Sequence, residues 1–192
     1  MRGSGGSYAI TTSITVQTFP APPSATIFSF NWQFTADEAA DALGKYQDFV
    51  QTADLPAEYG ADVVFTKGGV QGNVSMGLTG GWYGPLNQLN ATLAPFLAVM
   101  PPPRTERFHT GNYLHSALNL AGGSLDTTLK PDTPDTFYAK SLMTPENSPM
   151  SDAARKGFTT TLANEGFKTS VVSSLLLFCT RKTNLVYSMF HL

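Results

Sequence analysis

Residues 2–14 read RGSGGSYAITTSI, and Gly3, Gly5 and Gly6 bring three glycines directly in front of a strand-like alternation. Glycine tolerates positive φ and lets backbone N–H groups approach a phosphate or the polar edge of a cofactor. No Gly-Lys-Ser/Thr follows, so a P-loop is excluded. The loop also leads into a strand pattern rather than a helix, which removes the helix N-terminus that a Rossmann turn uses. The same composition also suits a flexible leader, and the first four residues have the character of an expression-tag start.

A second chemistry-bearing stretch is Asp135-Thr136-Phe137-Tyr138-Ala139-Lys140-Ser141. Strand alternation puts Thr136, Tyr138 and Lys140 on one face and Asp135, Phe137, Ala139 and Ser141 on the other. Asp135, Tyr138 and Lys140 together can hydrogen-bond several hydroxyls, as a sugar or other polyol requires. Equally, Asp135 and Lys140 suit a strand edge kept charged against aggregation. Trp82 and Tyr83 have the ring types that stack on sugars, although Trp82 falls on an apolar face and reads as core.

Other chemistry is thinly represented. His109, His115 and His191 stand at spacings that fit no zinc motif, so no metal ligand is assigned. Cys179 is the single cysteine and no Gly-x-Ser-x-Gly elbow occurs, so no nucleophile and no catalytic residue is assigned within the chain.

The elements that would position these residues follow from periodicity. Ile10, Ile14 and Val16 alternate as a short strand ending at Pro20, Pro22 and Pro23. Residues 25–34 put Phe28, Phe30, Trp32 and Phe34 on one face and Ser29, Asn31 and Gln33 on the other. Thr35 to Glu38 has the spacing of a capping box, opening a helix with Ala39, Leu43, Tyr46 and Val50 on one stripe and ending before Pro56. A short strand at 61–66 and a Gly68-Gly69 turn precede a strand at 70–83. There Val70, Val74, Met76, Leu78 and Trp82 oppose Gln71, Asn73, Ser75, Thr79 and Tyr83. Pro85 begins a helix with Leu86, Leu89, Leu93 and Leu97, which Pro95 should kink or shorten. Pro101 to Pro103 forms a stiff connector.

A third helix at 112–121 carries Leu114, Ala117, Leu118 and Ala121 and closes on Gly122-Gly123. A strand at 136–142 follows, then a fourth helix from Ser151 through Ala154, Phe158 and Leu162 to Gly166. The strands are one-sided, which predicts an α+β domain: an antiparallel sheet with helices packed on one face, the other being free to bind.

The chain has 192 residues, 14% of them charged, a net charge of -2 and 11% aromatics, so it carries neither a nucleic-acid footprint nor an acidic tail. A neutral small molecule is the expected partner. Two sequons, Asn73-Val74-Ser75 and Asn90-Ala91-Thr92, point to the secretory route, while no signal peptide opens the chain. The tail from 170 onward, with VVSSLLLFC and NLVYSMFHL, lacks alternation, caps and turns. It reads either as a buried strand or as sequence foreign to the domain. Its apolar run is far shorter than the roughly 20 residues that span a bilayer.

RGSGGSYAITTSI, then FNWQF with its capped helix, then GGWYGPLNQLNATLAPFL and DTFYAKSLMTPE, resemble in this order the FAD-linked oxidases of the berberine-bridge-enzyme type. The likeness is nearest to the fungal gluco-oligosaccharide oxidases and covers residues 2–169. The resemblance implies a p-cresol-methylhydroxylase-type flavoprotein in which residues 1–18 end the FAD domain. Residues 19–169 form the substrate domain and 170–192 an atypical tail. It implies that Gly3, Gly5, Gly6, Ser7, Tyr8 and Ile10 touch FAD, with Ala9 and Thr11 departing from the family's glycine and valine. It implies Asp135 as an acidic sugar contact on a pocket-lining strand shared with Tyr138 and Lys140. It further implies a secreted enzyme of which this is a fragment: the covalent flavin anchor lies upstream and the catalytic tyrosine downstream. No turnover is therefore expected from the chain alone. A non-catalytic polyol-binding or interaction module is the competing expectation.

Overall fold

The computed structural model describes residues 12–126, 128, 138–143, 148–164, 173–180 and 184–191. The alternation after Pro23 forms β1 (Ala25–Thr35), which buries Phe28, Phe30, Trp32 and Phe34 and leaves Ser29, Asn31 and Gln33 half-buried on the opposite face. β1 ends where Thr35 starts α1 (Ala36–Thr52). The Thr35 N–H donates to Glu38 Oε2 at 2.8 Å and the Glu38 N–H donates to Thr35 Oγ1 at 3.4 Å, so the capping box is formed. Thr35→Ala is expected to lower unfolding stability by about 1 kcal/mol in urea denaturation, because the Glu38 N–H loses the hydroxyl that caps it.

β2 (Tyr59–Lys67) and β3 (Asn73–Trp82) form a hairpin, followed by α2 (Leu86–Val99), β4 (Thr105–Gly111), α3 (Tyr113–Leu120), β5 (Tyr138–Met143) and α4 (Asp152–Asn164). The tail supplies β6 (Ser173–Thr180) and β7 (Asn184–His191). The strands make one seven-stranded sheet in the order β4-β1-β3-β2-β6-β7-β5, with every neighbouring pair antiparallel. The α+β expectation is met. Core side chains from β1, β2 and β3 meet Leu43 and Tyr46 of α1, Leu89, Leu93 and Phe96 of α2, and Leu162 of α4 in a single cluster. Its aromatic centre runs from Trp32 to Phe96 and on to Tyr46 and Phe49.

Several local expectations give way. Residues 12–24 form no strand, and Ile14 and Val16 are 77% and 70% exposed, because no described strand lies beside them to complete a ladder. Val70 is exposed in the β2–β3 turn rather than on the apolar face. Gly72 takes φ 91°, and the Gly68 N–H donates to the Asn73 carbonyl at 2.8 Å, so β3 begins at Asn73. α2 continues past Pro95 to Val99. β4 occupies a stretch where no strand was expected. On α3, Leu114 is exposed and the buried residue is Ser116, whose hydroxyl donates to the Ala25 carbonyl at 3.2 Å.

Candidate functional site

Antiparallel pairing puts directly opposed residues on the same face, so the register extends the polar side of β1 across its neighbours. Arg107, Ser29, Thr79 and Asp62 form one cross-strand row through β4, β1, β3 and β2. The next row contains Thr105, Asn31, Gly77 and Val64. The one after that contains Gln33, Ser75 and Thr66. Ser29, Asn31, Gln33, Ser75, Thr79, Asp62 and Thr66 are all half-buried, and Asn31 Nδ2 donates to Ser75 Oγ at 3.3 Å.

Gly77 sits in the middle of this surface, and a Cβ built there would meet nothing within 4 Å. The strand backbone is therefore open to an approaching ring. At one end the face is partly roofed. The Tyr83 ring and the Ile27 side chain both lie beside Gly81, that ring is 6.0 Å from the ring of Tyr113, and His109 meets His115 of α3 edge to face at 4.6 Å. Three helices thus cover the apolar side, and α3 borders the polar side. Together these groups make a shallow surface of neutral donors and acceptors with one carboxylate, one guanidinium and an aromatic rim. Such a surface matches the hydroxyls and C–H faces of a carbohydrate.

Asp62 is the electrostatic feature of the surface. Burial pushes its carboxyl above the usual carboxylate value, partly offset by a hydrogen bond to its own backbone. Between the unfolded value and the raised folded value the native state holds more protons than the unfolded one, so stability falls as pH rises through that window. Asp62→Asn is accordingly expected to raise Tm at neutral pH and to leave it unchanged at a pH well below the usual carboxylate range, as read by thermal melts at the two pH values. A carboxylate kept where it costs stability is a candidate for ligand contact.

Sequence reasoning identified the polar positions on β1 and β3 but missed Asp62, Thr66 and Arg107. The signal for the first two was present: with Val63 and Phe65 taken as core, period 2 sends Asp62 and Thr66 to the opposite face. Arg107 is visible only through its pairing with Ser29.

Gly3, Gly5, Gly6, Ser7, Tyr8 and Ile10 lie outside the described residues, as does Asp135. Tyr138 and Lys140 lie in β5, at the sheet edge farthest from β4, with β6 and β7 between them and β2. Lys140 pairs with Met189, which pairs with Leu175 and through it with Phe65. Ser141 leads through Ser188 and Leu176 to Val64. Among the described residues no group of three or more His, Cys, Asp or Glu is placed to hold a metal ion, and no helix is long and apolar enough to cross a membrane.

No family model matches the chain. It is 27% identical over 149 residues to the xylooligosaccharide oxidase of Thermothelomyces thermophilus, an alignment covering 75% of this chain and 28% of that protein. It is 25% identical over 181 residues to the FAD-linked oxidoreductase dpmaF of Metarhizium anisopliae, covering 93% of this chain and 33% of that protein. Among solved structures, a chitooligosaccharide oxidase superposes with a TM-score of 0.72 at 20% identity, covering 91% of this chain and 40% of the other. The chain therefore spans about a third of the length of the curated relatives it matches.

Proposed function

From the premise that this chain resembles, in sequence and fold, a part of the FAD-linked oxidases of the berberine-bridge type, we propose that it forms the substrate-facing sheet of an FAD-dependent oxidoreductase. The reaction is the oxidation of a C–OH group of a carbohydrate or other alcohol, with oxygen as acceptor. The observation that carries the reading is the continuous polar face of β4, β1, β3 and β2, open at Gly77 and bordered by Tyr83 and Tyr113.

A bound flavin supplies the two-electron acceptor for such chemistry. The described residues of this chain supply recognition. Asn31, Ser75 and Thr79 offer neutral hydrogen bonds, Asp62 accepts from hydroxyls, and Gly77 allows close approach. In this reading residues 1–18 belong to the flavin domain, with Gly3, Gly5, Gly6, Ser7, Tyr8 and Ile10 as its contacts. Residues 19–169 form the substrate domain. Asp135, Tyr138 and Lys140 are candidates for an outlying contact; of these, Tyr138 and Lys140 stand in β5 at the far edge of the sheet, in rows that lead to the face of Phe65 rather than that of Asp62. The chain by itself is expected to bind without turnover.

The test is a chimera in which this chain replaces the matching third of the xylooligosaccharide oxidase. Flavin absorbance and peroxide release are then measured over a panel of oligosaccharides and simple alcohols. Peroxide release with any of them supports the reading. A yellow chimera that releases none sinks the oxidase reading, and sugar binding by calorimetry without turnover would then favour a polyol-binding module. Gly77→Val in the same chimera is expected to leave the circular dichroism spectrum unchanged and to weaken sugar binding at least tenfold, because its side chain fills the open centre of the face.

A further inference from the structure

Both sequons fall on described residues, and the fold separates them. Asn73 begins β3 on the polar face, pairs with Thr35 of β1, and is packed so closely on Gly68 that a Cβ at 68 would lie 2.7 Å from the Asn73 Cβ. Asn90 is exposed on α2, while Leu89, Leu93 and Phe96 hold the other side of that helix in the core. A glycan at Asn73 would stand over the proposed ligand surface. One at Asn90 would project from the helix layer, on the opposite side of the sheet.

The folding order implied by the elements separates them again. Asn73 belongs to the β2–β3 hairpin, whose strands are adjacent in sequence and which needs only a short loop to close. Such units form in about 1–10 μs. α2 is weak on its own: Pro85 provides no side-chain cap, no acidic residue occupies the first turn and no basic one the last. Pro95 also lacks the N–H that would bond the Ala91 carbonyl, inside the sequon itself. A helix of this kind forms when the sheet is present to receive Leu89, Leu93 and Phe96, so the sequon stays extended longer on a nascent chain.

The finished surface of α2 also lacks what normally keeps a surface helix soluble. Its 14 residues include no charged side chain, while Leu86, one turn before Asn90, is 41% exposed and Val99 is 52% exposed.

We propose that Asn90 is an N-glycan acceptor and that Asn73 is not. In the transfer, Asn90 Nδ2 loses one proton and forms a bond to the anomeric carbon of an oligosaccharide carried on a lipid pyrophosphate. The bond from that carbon to the pyrophosphate oxygen breaks, and the lipid pyrophosphate leaves. The Thr92 hydroxyl, which donates to the Gln88 carbonyl at 2.9 Å in the folded helix, is free for the transferring enzyme before the helix forms.

The experiment expresses the full chain behind a secretory leader in a eukaryotic host. Intact mass and peptide mapping are read before and after treatment with an amidase that converts glycosylated Asn to Asp. Total cell protein is analysed with the secreted fraction, so a retained variant is still read. One glycan on Asn90 is expected, absent in Asn90→Gln and in Thr92→Ala and retained in Asn73→Gln. A glycan on Asn73, or none at either position in the wild type, overturns the proposal.

Discussion

Trp32→Ala is expected to lower unfolding stability by about 3–5 kcal/mol, the range for emptying a fully packed aromatic site. The indole is 2% exposed, stacked on Phe30 at 5.8 Å between centroids and edge-on to Phe96 at 6.2 Å. Its Nε1–H donates to the Pro101 carbonyl at 2.9 Å, which ties the connector before β4 to the centre of β1. Loss of the ring therefore opens a cavity where β1 meets α2 and also leaves a carbonyl without its partner. Since whole domains are stable by only about 5–15 kcal/mol, this variant should lie close to the unfolding threshold. Urea denaturation followed by circular dichroism measures it. Trp32→Phe separates the two causes: it keeps most of the packing and is expected to lose about 1 kcal/mol with the hydrogen bond. Equal losses in the two variants would show that the Pro101 contact, and not the packing, holds this region.

β1 and β3 were legible because their two faces differ in chemistry over five or more residues, and the Thr35–Glu38 box was legible because it is wholly local. β4 was not legible. It is an edge strand, most of its residues are exposed, and TERFHTG has no apolar face to reveal a period. Residues 12–24 failed in the opposite sense: Ile14 and Val16 alternate as a strand does, yet a strand also needs a neighbour, which periodicity does not report. The polar face shows the same limit. Ser29 and Thr79 were each visible as polar positions, but their shared row with Arg107 and Asp62 is a matter of register, set by residues far apart in the chain. α3 misled because Leu114 and Leu118 suggested a buried stripe, whereas the contact with β1 is made through the small Ser116.

Register also decides between two glycines of β3 that are alike in sequence terms. Gly80→Ala is expected to cost more than the usual 1–3 kcal/mol of an overpacked core, and Gly77→Ala almost nothing. Gly80 lies on the apolar face, where an added Cβ would come 2.4 Å from Phe28 Cζ, 2.6 Å from the Gly60 carbonyl oxygen and 2.8 Å from Ala61 Cβ. Phe28 is fully buried, with its ring stacked on Tyr59 at 5.9 Å, so it has little room to turn aside. The Gly60 oxygen belongs to the backbone of the paired strand and moves only if β2 and β3 separate locally. At Gly77, three residues earlier and on the other face, an added methyl meets open space. With urea m-values of about 1–3 kcal/mol/M for small proteins, the Gly80→Ala midpoint should fall by at least about 1 M, while that of Gly77→Ala stays near wild type. The pair tests the register of β2, β3 and β1 in one measurement: a slip of one residue in β3 would exchange the two faces and give the reverse order of stabilities.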